Sequence, residues 1–582
     1  MDPRAAAVIL AEIATLLELR GEAAERARTL RALARALNSM QDTADVSTML
    51  QSVTARDGID EHIATVLREL HETGDSDTLH LLRETTPEGL LDMLRVPGLG
   101  TRRIHDIHQG LGIETLQDLE RAVRDGRLAA LPRFGAKAAE RILRGIAYLR
   151  ESGEPTLYPH ALVEAQRLME AVRSIPGVTR VDLAGSLRRR CELIGDIDLV
   201  ITTATPGLVS AALPELRGVT DAVGAGSNAV TLHFDDGTRA DMYCATPSSF
   251  ALTLWLATGS AEHCAEAIRS SPQLELVGDR LHDPAGRALD LQSEQALYSA
   301  LGLSYIEPEL REGRGEVANA RERALPSLVG LSDIRGVLHC HSAYSDGTTG
   351  IEELAVAAQQ RGWEYIGITD HSQGSFYAGG LSSESVYRQH AEIDRVNASL
   401  TGVRVLKGIE ADILPDGSID YDERLLERFD YVIASVHSRF GMDEARMTDR
   451  VLRAMDDPHV TILGHPTGRL LLTREPYALD VQAVVERAAE AGVAVELNAD
   501  PHRLDLDWRW LRQARGAGAM VEIGPDAHTI EGLDNMEIGV GIARKGWLAA
   551  PDVLNTRSAH DVLAFAKARR TGPPATDARA AR

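Results

Sequence analysis

From residue 5 to about residue 90, apolar positions recur at three-and-four spacing, as in LAEIATLLELRGEAAERARTLRALARAL. That spacing lines them along one stripe of a helix and predicts a helical region. Two glycine-bearing turns interrupt the pattern further on. One is Val96-Pro97-Gly98-Leu99-Gly100 within LLDMLRVPGLGTRRIHDIHQGLGI; the other lies within LPRFGAKAAERIL, residues 131–143. Residues 155–320 change rhythm. VTRVDLAGSLRRR, IGDIDLVIT, AVTLHFDDGT and RADMYCAT read as strands, whereas SSFALTLWLATGS and SEQALYSALGL return to helical spacing. The charged, poorly periodic stretch 309–336 reads as a linker. From residue 336, short apolar runs alternate with amphipathic stretches such as IEELAVAAQQRG and ALDVQAVVERAAEAG. The strand candidates are GVLHCH, YIGITDH, VRVLKGIE, YVIASVH, VTILGHP, VAVELNAD and AMVEIGPDAH. Strand and helix alternating about every 30 residues predict parallel βα units. Seven such strands predict a closed or nearly closed barrel.

Composition adds limits to this picture. The 582 residues, 44% hydrophobic and 25% charged, fit a globular protein of several domains. There is no apolar run of about 18 residues, so no membrane span is expected. The acidic, helical start does not read as a signal peptide. Cys191, Cys244, Cys264 and Cys340 form no CxxC pair, which fits a reducing cytoplasm. A net charge of −24 argues only weakly against nucleic acid, because local patches decide binding and metal-binding carboxylates lower the total. Lysine is rare: Lys137, Lys407, Lys545 and Lys567 are the whole set, so residues 1–136 cannot form a Schiff base through a lysine amine.

The two turns supply the first candidate chemistry. Their glycines permit a tight bend that presents backbone N–H groups at the start of the next helix, a place suited to a phosphate. Basic residues follow each: Arg102 and Arg103 after Gly98 and Gly100, Lys137 and Arg141 after Gly135. Two such turns close together point to the nucleic-acid backbone.

The stretch GVLHCHSAYSDG holds the second. Side chains at i and i+2 of a strand face the same way, so His339 and His341 share a face and Cys340 takes the other. In parallel βα barrels, functional groups collect at the C-terminal strand ends. Six of the seven candidate strands end in His, Asp or Glu: His339, His341 and Asp346, then His371, Glu410, His437, His465, and Asp526 with His528. The sixth, ending near Asn498 and Asp500, departs from the pattern. So many ligands exceed one tetrahedral site. They predict two or three ions of Zn²⁺, Mn²⁺ or Fe sharing carboxylates, a centre suited to phosphoester hydrolysis.

The third is AGSLRRRCELIGDID. Asp196 and Asp198 are again two apart, and Asp241 in RADMYC is placed to join them from a neighbouring strand. Three converging carboxylates suit two Mg²⁺ or Mn²⁺ ions for in-line attack on a triphosphate. Gly185, Ser186, Arg188 and Arg189 offer backbone, hydroxyl and guanidinium groups to phosphate oxygens.

LHCHSAYSDG, ITDHS, GIEADI, ASVHS, LGHP and GPDAH, in that order, resemble the PHP (polymerase and histidinol phosphatase) family across about residues 333–570. The resemblance implies a distorted seven-stranded barrel with a trinuclear site, and all nine ligand positions are filled. Val337, where the family often has Asp, is not expected to touch metal. GS-x-RR followed by GDID and Asp241 resembles the family X DNA polymerases, and the order of segments matches their bacterial members over nearly the whole chain. LGLSYIEPELREGRGE (301–316) is similar to their segment before the linker.

The implied layout is a multidomain one. It comprises a helical N-terminal domain (1–90), helix-hairpin-helix fingers (91–152), an α+β nucleotidyltransferase palm (153–247), a thumb (248–316), a linker (317–335), an α/β PHP barrel (336–570) and a disordered tail (571–582). By position, Asp196, Asp198 and Asp241 would bind metal, Asp241 would also activate a primer 3′-hydroxyl, and Ser186, Arg189 and Gly259 would meet the nucleotide. Leu256-Ala257 stand where the family has Tyr-Phe, and Cys264 where it has an Asn that reads the nucleotide. The lysine that opens abasic sugars in lyase-active relatives has no counterpart before Lys137. The implied function is short-gap filling in base excision repair from dNTPs, on gapped or 3′-recessed DNA, by a cytoplasmic monomer. A PHP 3′–5′ exonuclease or 3′-end phosphoesterase would accompany it. The alternative is the PHP activity with a weak or inactive polymerase module.

Overall fold

The computed structural model describes residues 3–38, 60–73, 76–94, 96, 99–151, 155–235, 237–375 and 378–571. Gly98 and the expected tail beyond Thr571 lie outside them. None of the described helices is long and apolar enough to cross a membrane.

The N-terminal region is helical, and its apolar stripes meet in one core. Leu10, Ile13 and Leu17 of Pro3–Arg20 pack with Leu30, Val66, Ile104 and Ile107. Side-chain oxygens satisfy the first free N–H groups of its later helices, as Ser76 does for Leu79 and Thr115 for Asp118. Gly112, at φ +63°, closes Thr101–Leu111 in the left-handed conformation that favours glycine.

A five-stranded mixed sheet follows, in the order Val178–Leu183, Ile197–Thr203, Arg239–Ala245, Ala229–Phe234, Val219–Val223. The central pair, Ile197–Thr203 with Arg239–Ala245, is parallel and sets Asp198 beside Asp241. The first expected strand is shorter than its sequence suggests. It ends at Leu183, and Gly185–Arg188 turn into a short helix. Gly185 takes φ +59°, and a Cβ there would lie 1.7 Å from Asp198 Oδ2. The bend therefore needs glycine and brings the chain against that carboxylate.

The stretch expected as a linker is folded. Val317 and Ala320 of the helix Glu316–Glu322 are buried. Its charges misled because they are satisfied inside: Arg311 pairs with Glu294, and Glu316 accepts from His263 at 2.6 Å.

Beyond Gly336 the strands are parallel, in groups of three and five. Every residue of Tyr365–Ile368, Val432–Ser435, Val460–Leu463, Ala494–Asn498 and Val521–Gly524 is buried, as expected of parallel strands covered on both faces. Parallel bridges join His371, just after the middle strand of the three, to Glu410, and Cys340 to Ala527, linking the two groups. Two expected strands differ in detail. The first is regular only over Gly336–Val337, and VRVLKGIE breaks into Arg404–Lys407 and Glu410–Asp412. The break falls at Gly408, where a Cβ would meet the Tyr431 ring at 2.5 Å.

The C-terminal region packs on the preceding one through polar contacts. Trp508 Nε1 donates to Glu192 at 3.1 Å, and Arg544 pairs with Glu309 at 2.6 Å. It also meets the N-terminal helices, where the Arg439 N–H donates to Asp77 and His80 stands edge-on to Phe440.

Candidate functional sites

His339 and His341 do aim the same way: their Nε2 atoms lie 3.5 and 3.3 Å from Asp526 Oδ1. Cys340 between them is fully buried in the apolar core, and burial pushes its thiol far above its ordinary range. Val337 is also in that core. Around the two histidines the strand ends bring all nine expected residues together. Glu410 is central. Its oxygens lie 3.5 Å from His339, 3.0 Å from His371, 3.2 Å from His437 and 2.8 Å from His465. Asp346 bridges His371 at 3.5 Å and His528 at 3.4 Å. Three overlapping ligand groups result: His341, Asp346, His371 and His528; His339, His341 and Asp526; His371, Glu410 and His437.

The donor set fits cations. Nε2 of His339 and both ring nitrogens of His341 are buried and have no hydrogen-bond partner among the described residues. Such orphaned atoms are costly unless something polar meets them. Burial, then the charges of His528 and His371, push His341 down to about 4, leaving its ring neutral with one nitrogen lone pair free. At His528, Asp346 outweighs burial and lifts the imidazole to about 9. Burial would raise the Glu410 and Asp526 carboxyls, but the imidazoles around them hold both well below the usual range.

Sequence reasoning missed the residues that hold these ligands. Glu496, fully buried, accepts from His339 Nδ1 and from the His465 N–H, each at 2.5 Å. Asp412 accepts from His437 Nδ1 at 2.6 Å. The sixth strand, which offered no obvious ligand, contributes here: Asn498 Nδ2 donates to Asp526 at 2.9 Å. Asp412 stands two residues after Glu410, the same spacing that revealed His339 and His341, and was open to the same inference. Glu496 had only the signal of one acid inside an apolar strand.

The second cluster forms on the mixed sheet. Asp198 is pushed up to about 7, first by burial and then by Asp196 and Asp241. Asp196 is raised by burial and then by Asp241. Mutual repulsion of this kind is relieved by a cation. Arg239, also missed, pairs with Asp241 at 3.0 Å and reaches Asp196 at 3.9 Å. Thr231 donates to Asp241 at 2.5 Å and Tyr243 to Asp198 at 3.4 Å. Ser186 Oγ is buried with no partner among the described residues, which leaves it available to a ligand.

The two arginines of the turn are already engaged. Arg188 pairs with Glu294 at 2.6 Å, and Arg189 with Glu312 at 2.9 Å. Arg188 also donates to the Thr258 hydroxyl and Arg189 to the Thr258 carbonyl, each at 2.7 Å. Gly259 follows at once, where a Cβ would lie 2.7 Å from Cys264 Sγ. Gly185, Ser186, Arg188, Arg189 and Gly259 thus cluster beside the three aspartates.

Gly100 and Gly135 lead into the helices Thr101–Leu111 and Ala136–Glu151. Both are exposed, as are Arg102 and Lys137, and nothing lies within 4 Å of where either glycine's Cβ would be.

Two family models match the chain: the SAM-like helix-hairpin-helix tandem over residues 90–147 and the PHP domain over residues 338–500. These matches define a multidomain enzyme class that joins DNA-binding turns to a PHP hydrolase module. The DNA polymerase/3′–5′ exonuclease PolX of Bacillus subtilis is 37% identical over 570 residues, 96% of this chain and 98% of that protein. The chain belongs to the bacterial family X DNA polymerases that carry a PHP domain. A probable phosphatase of Caldanaerobacter subterraneus subsp. tengcongensis is 34% identical over 34% of this chain and 80% of its own length. One of Syntrophotalea carbinolica is 34% identical over 28% of this chain and 64% of its length.

Proposed function

We propose that the chain extends DNA 3′ ends across short gaps from dNTPs and trims the same ends at its PHP centre, working as a cytoplasmic monomer. The observation that carries this reading is two separate ligand clusters in one chain, with exposed Gly100, Arg102, Gly135 and Lys137 ahead of them.

In this reading the 178–245 sheet is the palm and residues 248–316 the thumb. Asp196, Asp198 and Asp241 would hold two Mg²⁺ or Mn²⁺ ions, which would supply charge neutralisation for the triphosphate and the attacking oxygen. Asp241 takes the 3′-hydroxyl proton. Thr231 and Arg239 orient Asp241, and Tyr243 steadies Asp198. The turn at Gly185 and Ser186 presents backbone and hydroxyl to phosphate oxygens, with Arg189 lending charge behind it. Gly100, Arg102, Gly135 and Lys137, together with Gly98, grip the DNA backbone without reading sequence.

The strands from 336 to 524 form the distorted (βα)7 barrel. His339, His341, Asp346, His371, Glu410, His437, His465, Asp526 and His528 would hold two or three Zn²⁺, Mn²⁺ or Fe ions, which would supply Lewis-acid activation of water and offset negative charge on the phosphoryl group. Glu496, Asp412 and Asn498 fix the ligands' orientation.

A narrower reading, hydrolysis with a weak polymerase, draws on Leu256, Ala257 and Cys264. Leu256 is partly exposed, and Cys264 lies half-buried with Sγ 4.0 Å from the Trp255 carbonyl. Extension of a one-nucleotide gapped duplex with each dNTP and rNTP separates the two. Incorporation of dNTPs supports the main reading, and no incorporation with either Mg²⁺ or Mn²⁺ leaves the narrower one.

A further inference from the structure

Lys545 ends the helix Asn535–Lys545 in the PHP-bearing region and is 1% exposed. Its ammonium donates to the Glu312 carboxylate and, at 3.1 Å, to the Arg189 carbonyl, and it lies 4.7 Å over the Trp508 ring. Glu312 is shared. Arg189 Nε donates to the same carboxylate oxygen at 2.9 Å. One half-buried carboxylate therefore stands between two cations, one from each half of the chain. Burial would raise the Glu312 carboxyl, but Lys545 first and Arg189 second outweigh it and hold the group below its usual range.

The charge balance has a consequence for the neighbouring turn. Without Lys545, Arg189 and Glu312 would be a closed ion pair with little field beyond it. With Lys545 the partly buried cluster keeps one net positive charge, close to the backbone of Gly185 and Ser186 and less screened there than in bulk water. Fastening the two halves together does not require this lysine. Arg544 with Glu309, Trp508 with Glu192 and Arg509 with Glu192 already tie the same face. A buried ammonium costs desolvation that an apolar side chain would avoid.

We propose that Lys545 is a positioning residue for nucleotide binding: the PHP-bearing region lends a cation that occupies Glu312 and leaves the charge of Arg189 to the incoming triphosphate. The inference rests on the reading that Arg189 serves the triphosphate.

The test is steady-state incorporation of a single dNTP into gapped DNA by the full chain. Lys545→Met raises the dNTP KM by about tenfold and changes kcat less than about twofold, within the ordinary range for coupling between sites. Lys545→Arg keeps the wild-type KM. The double variant Lys545→Met/Glu312→Gln recovers most of the lost affinity, because removing both charges restores the net positive one. Hydrolysis of bis(p-nitrophenyl) phosphate at the PHP centre stays unchanged in all three, which reports a folded protein. An unchanged KM in Lys545→Met overturns the proposal. So does a double variant as impaired as the single one, or loss of both activities in Lys545→Met, which would mark a packing residue. If Arg189→Met leaves the dNTP KM unchanged, the role given to Arg189 fails instead.

Discussion

Glu496→Gln removes one charge from the PHP centre at almost no change in volume. Glu496 is fully buried and accepts two hydrogen bonds at 2.5 Å, from His339 Nδ1 and from the His465 N–H. Gly524 is pressed so close that a Cβ there would lie 2.0 Å from Glu496 Oε1, so the carboxylate has little room to rearrange. A hydrogen bond to a charged acceptor contributes about 1–1.5 kcal/mol more than a neutral one. Two such bonds give about 2–3 kcal/mol, or roughly 30- to 150-fold, in line with outer-ligand substitutions at metal sites. The assay strips the protein with a chelator, adds back Mn²⁺ or Zn²⁺ in steps and follows phosphodiester hydrolysis. The half-activating metal concentration rises by that factor, while gapped-DNA extension is unaffected. A metal-activation curve that superimposes on the wild type would refute the role assigned to Glu496.

Gly185→Ala places a methyl group where Asp198 Oδ2 lies and forces an L-residue to φ +59°, so primer extension falls by at least about a hundredfold while PHP hydrolysis persists; equal extension would contradict the tight approach. Glu522 is fully buried, and burial followed by the charge of Glu496 lifts its carboxyl from an ordinary 4.5 to about 8. The folded chain keeps a proton that the unfolded chain releases, so this stability is fully present below about pH 4.5, declines as pH rises to about 8, then levels off. Between about pH 6 and pH 8, denaturant unfolding of the C-terminal region therefore weakens by up to about 2–3 kcal/mol in the wild type and by less in Glu522→Gln; parallel pH profiles would contradict the burial of a protonated acid.

Local spacing made the ligands legible and left their supports hidden. His339 and His341 could be placed on one face because a strand alternates sides, and the repeating strand–helix rhythm carried that inference to His371, Glu410, His437, His465, Asp526 and His528. Glu496 reads as an ordinary strand acid until the fold lays it under a histidine 157 positions earlier. The same holds for Arg188 and Arg189, whose partners Glu294 and Glu312 lie more than 100 residues away. Charge patterning misled at 309–336, because Arg311 and Glu316 look like solvated linker residues and are both fully buried in pairs. The strand read through AGSLRRR failed at one glycine. Only the position of Asp198 shows why the chain must turn there.

The most direct measurement is a pair of substitutions in the full chain, each assayed for gapped-DNA extension and for 3′ degradation of the same labelled primer. Asp196→Ala abolishes extension and retains degradation, and His339→Ala does the reverse. Loss of both activities in either variant would contradict two independent metal centres.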